Sequence, residues 1–186
     1  MKLKDLLDRL ERSPIIAAVR DDRFEAALAS EVEVIFYLSA ELMTVRERIR
    51  QAHRAGKAIL IHLDLAEGIG KDRAAIRYLA VCGADGLIST RTPLIRLAKE
   101  ADLVTVQRFF ALDSHGMGSV SETLFASEPH LMELMPGVIT KEIKRFATGT
   151  TPVIAGGLVE TKAEVTAALK AGAMAVSTGK PALWSM

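Results

Sequence analysis

Val153-Ile154-Ala155-Gly156-Gly157-Leu158-Val159-Glu160, followed by Thr161-Lys162-Ala163-Glu164-Val165-Thr166-Ala167-Ala168-Leu169-Lys170-Ala171-Gly172-Ala173 and Met174-Ala175-Val176-Ser177-Thr178-Gly179-Lys180, contains one complete strand, loop, helix and strand. Val153-Ala155 and Met174-Ser177 are short apolar runs of the kind that form strands covered on both faces. Between them Thr161, with Glu164 three residues on, makes a capping box that satisfies the orphan amides of a helix start. Val165, Ala168 and Leu169 then supply an apolar stripe at helical spacing, and Ala171-Gly172-Ala173 closes the helix. A strand followed by a helix and a second covered strand is a parallel βα unit.

The same unit recurs along the chain. After an amphipathic helix around Leu3 to Leu10, the apolar runs are Ile15-Val19, Val34-Leu38, Ala58-Leu63, Asp85-Ile88, Leu103-Gln107, His130-Leu134, Val153-Ala155 and Met174-Ser177. Gly56 and Gly83 stand where the intervening helices need closing. Eight covered strands predict an α/β fold, a compact parallel (β/α)8 TIM-barrel-like single domain over residues 1–186. The 186 residues are few beside the roughly 250 usual for this barrel, so the helices must be short and some can be missing. An open doubly wound sheet is the structural alternative. Ser114 to Ser119, with Gly116 and Gly118, reads as a loop rather than a helix start.

With 49% apolar residues the chain can bury one sizeable core, and its net charge of +1 provides no global attraction to polyanions or anionic membranes. The lone Cys82 can form no internal disulfide or cysteine metal cluster, and it suits a buried thiol in a reducing cytoplasm. Charges at Lys2, Lys4 and Asp5 interrupt the first apolar run, so neither a signal peptide nor a membrane span is expected. Homo-oligomerisation stays open, because barrel exteriors are amphipathic whether or not they pair.

In such barrels ligands sit at the carboxyl ends of the strands. The residues there are polar: Arg20, Ser39, His62 with Asp64, Ser89-Thr90-Arg91, Arg108, Glu133, Gly156-Gly157 and Ser177-Thr178-Gly179-Lys180. Glycines at the ends of strands seven and eight let backbone amides approach an anion, and Ser177 and Thr178 add hydroxyls, so this pair of loops reads as a phosphate cradle. Arg20, Arg91 and Arg108 are placed to add charge-assisted contacts. His62 and Asp64 alternate around Leu63, which on a strand gives them one face, and with Glu133 they form a polar pocket for ligand hydroxyls or acid–base work. One histidine and two separated carboxylates are a thin metal signature, so neither metal nor cofactor is expected. No lysine occupies an interior strand position where a Schiff base would form, since Lys57 precedes its strand and Lys180 follows the last one.

The strings His62-Leu63-Asp64-Leu65, Ile88-Ser89-Thr90-Arg91, Gln107-Arg108-Phe109-Phe110, Leu112-Asp113-Ser114, Met135-Pro136-Gly137-Val138-Ile139, Ile154-Ala155-Gly156-Gly157-Leu158 and Ala175-Val176-Ser177-Thr178 resemble, in order, the glycerol uptake operon antiterminator regulatory protein family. Pro14 to Arg20 and Leu183-Trp184 extend the resemblance to nearly the whole chain. It implies a barrel that senses glycerol 3-phosphate and acts on leader mRNA so that transcription passes a terminator. By the same resemblance Gly156, Gly157, Ser177 and Thr178 match phosphate-holding positions, and His62, Asp64, Arg108 and Glu133 match positions around the glycerol end. Gly179-Lys180 and His130 depart from the family pattern.

An RNA surface of the chain's own would need local positive charge. Arg46, Arg48, Arg50 and Arg54 fall in one helix and Lys71, Arg73 and Arg77 at the next, a candidate basic face that Glu41 and Glu47 partly neutralise. Two other classes fit the same strand ends: an enzyme acting on a small phosphorylated sugar or triol with Glu133 or Asp64 as base, and a metal-dependent phosphodiesterase.

Overall fold

The computed structural model describes residues 1–111 and 114–186, with only the backbone described for residues 114–119. It is a closed barrel of eight parallel strands in sequence order: β1 (Ile15–Val19), β2 (Val34–Tyr37), β3 (Ala58–His62), β4 (Gly86–Ser89), β5 (Val104–Phe110), β6 (Leu131–Met135), β7 (Val153–Gly156) and β8 (Ala175–Thr178). β8 pairs with β1 through Ile16 opposite Ser177, which closes the cylinder and rules out the open sheet.

Seven helices cross over between strands: α2 (Asp21–Ala29), α3 (Val45–Arg54), α4 (Arg73–Cys82), α5 (Thr92–Glu100), α6 (Ser114–Ser127), α7 (Thr140–Ala147) and α8 (Lys162–Lys170). Most span only eight to ten residues, which is how the fold fits a short chain. After β8 comes a 3₁₀ turn, Pro181–Leu183, and buried Trp184 pins it by donating its indole N–H to the Thr178 carbonyl at 3.0 Å. The capping box of α8 forms as its sequence predicts: Glu164 N–H donates to Thr161 Oγ1 at 3.2 Å, and Thr161 N–H to Glu164 Oε2 at 2.9 Å. Gly83 closes α4 in the left-handed region at φ +96°, where any other residue would be strained. Ser114 to Ser119 departs from expectation, because the backbone there is the start of α6. Residues 112–113 of the Leu112-Asp113-Ser114 string lie outside the described residues.

Successive strand side chains point alternately to the helices and to the barrel axis. The axial set Ile16, Val34, Phe36, Leu60, Ile88, Val106, Leu131 and Ile154 forms one apolar cluster, and α1 (Leu3–Arg12) adds fully buried Leu6 and Leu10 to it. This first helix therefore plugs the amino-terminal end of the barrel. The alternate residues, including Ile35, Ile59, Ile61, Met132 and Val176, pack outward on Phe24, Ile49, Leu79, Leu94 and Val165 of the helices. Cys82 is buried in that outer layer. Among the described residues no helix is long and apolar enough to cross a membrane.

Candidate functional site

One layer further up, the axial positions of five strands change character, while those of β1 and β2 stay apolar at Ala18 and Leu38. His62, Arg108, Glu133, Gly156 and Ser177 follow the apolar axial residues Leu60, Val106, Leu131, Ile154 and Ala175 at two-residue steps. All four polar side chains are at least nine-tenths buried. Register brings Arg108 opposite Glu133 and Gly156 opposite Ser177. Arg108 Nε donates to Glu133 Oε2 at 2.6 Å, and Ser177 Oγ donates to Glu133 Oε1 at 2.6 Å, so among the described residues each carboxylate oxygen is held by one donor. A buried charge is tolerable only when paired and hydrogen-bonded, and this one is both.

A cavity of about 400 Å³ opens over this group at the carboxyl ends of the strands, between Gly157-Leu158 and Gly179-Lys180, with Arg108, Glu133 and Ser177 in its wall. Gly157 has φ +72°, a conformation that favours glycine, and a Cβ there would also push aside the end of the Met135 side chain, 2.5 Å away. Its neighbour Leu158 is also left-handed, at φ +59°, and 69% exposed at the rim. Gly137 N–H donates to the carbonyls of Gly156 and Gly157, which ties the loop after β6 to the loop after β7. The amides of Gly157 and Gly179 donate to no acceptor among the described residues, which leaves them available to an anion. Two cations stand at the same rim. Arg23 of α2 donates to the Gly179 carbonyl, and Lys180 Nζ lies 3.0 Å from Glu160.

Several sequence expectations need correction. Thr178 lines the cavity, but its hydroxyl donates to the Val159 carbonyl at 2.8 Å and accepts the Lys180 amide at 3.2 Å, so it joins the two loops to each other. Asp64 does not share a strand face with His62, because β3 ends at His62 and the chain turns into a 3₁₀ helix, Leu63–Leu65. Its carboxylate instead receives Ser89 Oγ at 2.8 Å, Thr90 N at 2.7 Å and Thr90 Oγ1 at 2.8 Å, and so anchors the β4–α5 loop. Burial acts to raise this carboxyl, but the bonds from Thr90 and Ser89 outweigh it and hold it below its ordinary range. Arg20 is exposed at the start of α2, and Arg91 is exposed with Nε 3.9 Å from Asp64 Oδ1; neither lines the cavity.

His62 is 2% exposed, and its Nδ1 has no hydrogen-bond partner among the described residues. Burial, reinforced by the Arg108 charge, lowers its pKa to about 4, so the imidazole is neutral near pH 7. Arg23 was not legible as a site residue, because it sits in the first turn of a helix rather than at a strand end. Helix starts after a strand face the same mouth, and that is the signal that finds it.

The basic helices are largely neutralised. Arg48 lies 3.0 Å from Asp21 and 3.3 Å from Glu25, Arg54 and Arg50 share Glu47, and Arg73 pairs with Glu100. Lys71 Nζ donates to the Ala66 and Ile69 carbonyls, and Arg46 stacks over the Tyr78 ring at 5.9 Å. Among the described residues no three His, Cys, Asp or Glu side chains converge as a metal would need. A larger groove of about 730 Å³ lies between α6 and α7 at the amino-terminal end, but its charged groups, Glu128 and Arg145, are exposed side chains rather than a buried cluster.

The model of the family described as glycerol-3-phosphate responsive antiterminator matches residues 15–184, which is nearly every strand and loop described above. The chain belongs to that antiterminator family. Among its relatives, the protein YgcP of Escherichia coli K12, described as uncharacterized, is 32% identical over 184 residues, covering 97% of this chain and 96% of the relative. The solved glycerol uptake operon antiterminator regulatory protein of Listeria monocytogenes superposes with a TM-score of 0.87 at 32% identity, covering 91% of this chain and 94% of that one. A glycerol uptake operon antiterminator-related protein of Thermotoga maritima superposes with a TM-score of 0.85 at 30% identity, covering 94% and 99%. Enzymes of the same architecture, such as an aldolase at 11% identity, share the barrel with the antiterminator family and show the fold alone.

Proposed function

We propose that the chain senses glycerol 3-phosphate and, when loaded, acts on leader mRNA of glycerol-utilisation genes as a transcription antiterminator. The observation that carries this reading is the polarity of the mouth cavity. Free amides of Gly157 and Gly179 with Arg23 and Lys180 stand at the rim, and a hydrogen-bonding floor of Glu133, Arg108 and Ser177 lies below. A phosphate suits the rim and hydroxyls suit the floor. Family membership supplies the link to antitermination. Glu133 has a donor on each oxygen, which favours a group that holds a ligand over a general base that must release and recover a proton. For RNA, the exposed α3–α4 side, with Arg46, Arg50, Arg54, Arg73 and Arg77, is the candidate backbone-binding face, and Lys71 lies at its edge with its ammonium turned to carbonyls.

The test is a thermal-shift titration with glycerol 3-phosphate, with glycerol and inorganic phosphate as controls. Mass action gives about 2.7 kcal/mol at one hundred times the dissociation constant, a rise of several degrees. A rise confined to glycerol 3-phosphate supports the sensor. A flat response to it, with a rise for another phosphorylated compound, keeps the cradle and discards the sensor.

A further inference from the structure

The floor of the mouth cavity places the oxygens of a paired carboxylate below a rim that carries cations. Glu133 is 1% exposed and fixed from both sides, Oε2 by Arg108 Nε and Oε1 by Ser177 Oγ, each at 2.6 Å. Gly156 makes room for this arrangement, since a Cβ there would clash with Glu133 Oε1 and stand 2.7 Å from Ser177 Oγ. A carboxylate oxygen has two lone pairs, and the described residues use one on each, so the floor can accept further hydrogen bonds from a ligand. The Arg108 charge is matched within the pair. The cations at the glycine rim are Arg23 and Lys180, each exposed and beside an acidic neighbour, Asp22 at 3.6 Å and Glu160 at 3.0 Å.

Given the sensor reading, on which this step rests, we infer that Glu133 is a selectivity element: it admits the hydroxyls of a phosphorylated alcohol and rejects the phosphorylated acid of the same carbon skeleton. A hydroxyl donates to the fixed carboxylate oxygens. A second carboxylate brings no proton to donate, and its oxygens would face the Glu133 oxygens with no hydrogen between them. Size does not enter, because oxidation of a terminal CH2OH to COO⁻ barely changes the length of the ligand.

Isothermal calorimetry with three probes decides the matter: glycerol 3-phosphate, 3-phosphoglycerate as the matched acid, and dihydroxyacetone phosphate as a control of the same size that is neutral apart from its phosphate. The expected result is that 3-phosphoglycerate binds at least about 30-fold more weakly than glycerol 3-phosphate, with the neutral control within about tenfold. Glu133→Gln, which keeps the shape and removes the charge, narrows the gap between acid and alcohol to about fivefold or less. The wild-type ratio can be measured whether or not that variant folds. Equal binding of acid and alcohol to the wild type overturns the selectivity and leaves the phosphate site standing. A gap that survives unchanged in a folded Glu133→Gln overturns the assignment to Glu133. Failure of all three to bind overturns the sensor reading and the inference together.

Discussion

The two ends of the barrel use the same strand positions for opposite purposes. At the amino-terminal end the axial residues are apolar, and Leu6 and Leu10 of α1 seal them from water. Two residues further along the strands, the same axial row holds His62, Arg108, Glu133 and Ser177, all buried and three of them joined through Glu133. A dry plug contributes stability through area removed from water, whereas a buried polar layer contributes little net stability and carries a large penalty if a partner is lost. The plug is therefore where the fold is secured, and the mouth is where binding groups can be fixed at known positions.

The largest expected effect comes from breaking the plug. Leu10→Ala leaves a cavity beneath the axial cluster and is expected to cost about 2–5 kcal/mol, a fall in Tm on the order of 10 °C, read by urea and thermal denaturation. The ligand-induced rise in Tm should remain, and its disappearance would show that the two ends are not independent.

A smaller effect sharpens the contrast through pH. Burial, then the Arg108 charge, places the folded pKa of His62 at about 4, below its ordinary 6.5, so the folded chain binds fewer protons than the unfolded one in that window. The His62 contribution is present in full above about pH 6.5 and declines as pH falls towards 4, by on the order of 2–3 kcal/mol. His130, at the amino-terminal end, is half-buried and is also lowered, by burial and then by Lys99. Denaturation at pH 7, 5.5 and 4.5 should lose more of its pH slope in His62→Leu than in His130→Leu, and the reverse order would break the comparison.

The smallest effect lies at neither end. Thr161→Ala removes the acceptor that caps α8 and should cost about 1 kcal/mol, with the ligand-induced shift unchanged. A shift that shrinks along with the cap would place the start of α8 inside the binding machinery.

Strand number, order and direction were legible in the sequence because covered parallel strands must be continuous apolar runs, and the α8 cap was legible because its partners are three residues apart. The glycine loops after β7 and β8 were also legible, since their backbone needs residues without a Cβ. The pairing expected of His62 and Asp64 failed because alternation shows a shared face only while the chain stays extended, and it turns into a 3₁₀ helix at Leu63. Thr178 was read as a free hydroxyl because nothing local to it reveals the Val159 carbonyl that takes its proton.

By itself the sequence determined the succession of strands, the closing glycines and the polar residue types at each strand end, all of which depend on neighbours within a turn or two. Only the tertiary structure decided which of those residues meet. Arg108 and Ser177 lie 25 and 44 residues from Glu133 along the chain, and they share one carboxylate because barrel closure and strand register place β5, β6 and β8 at one height around a common axis.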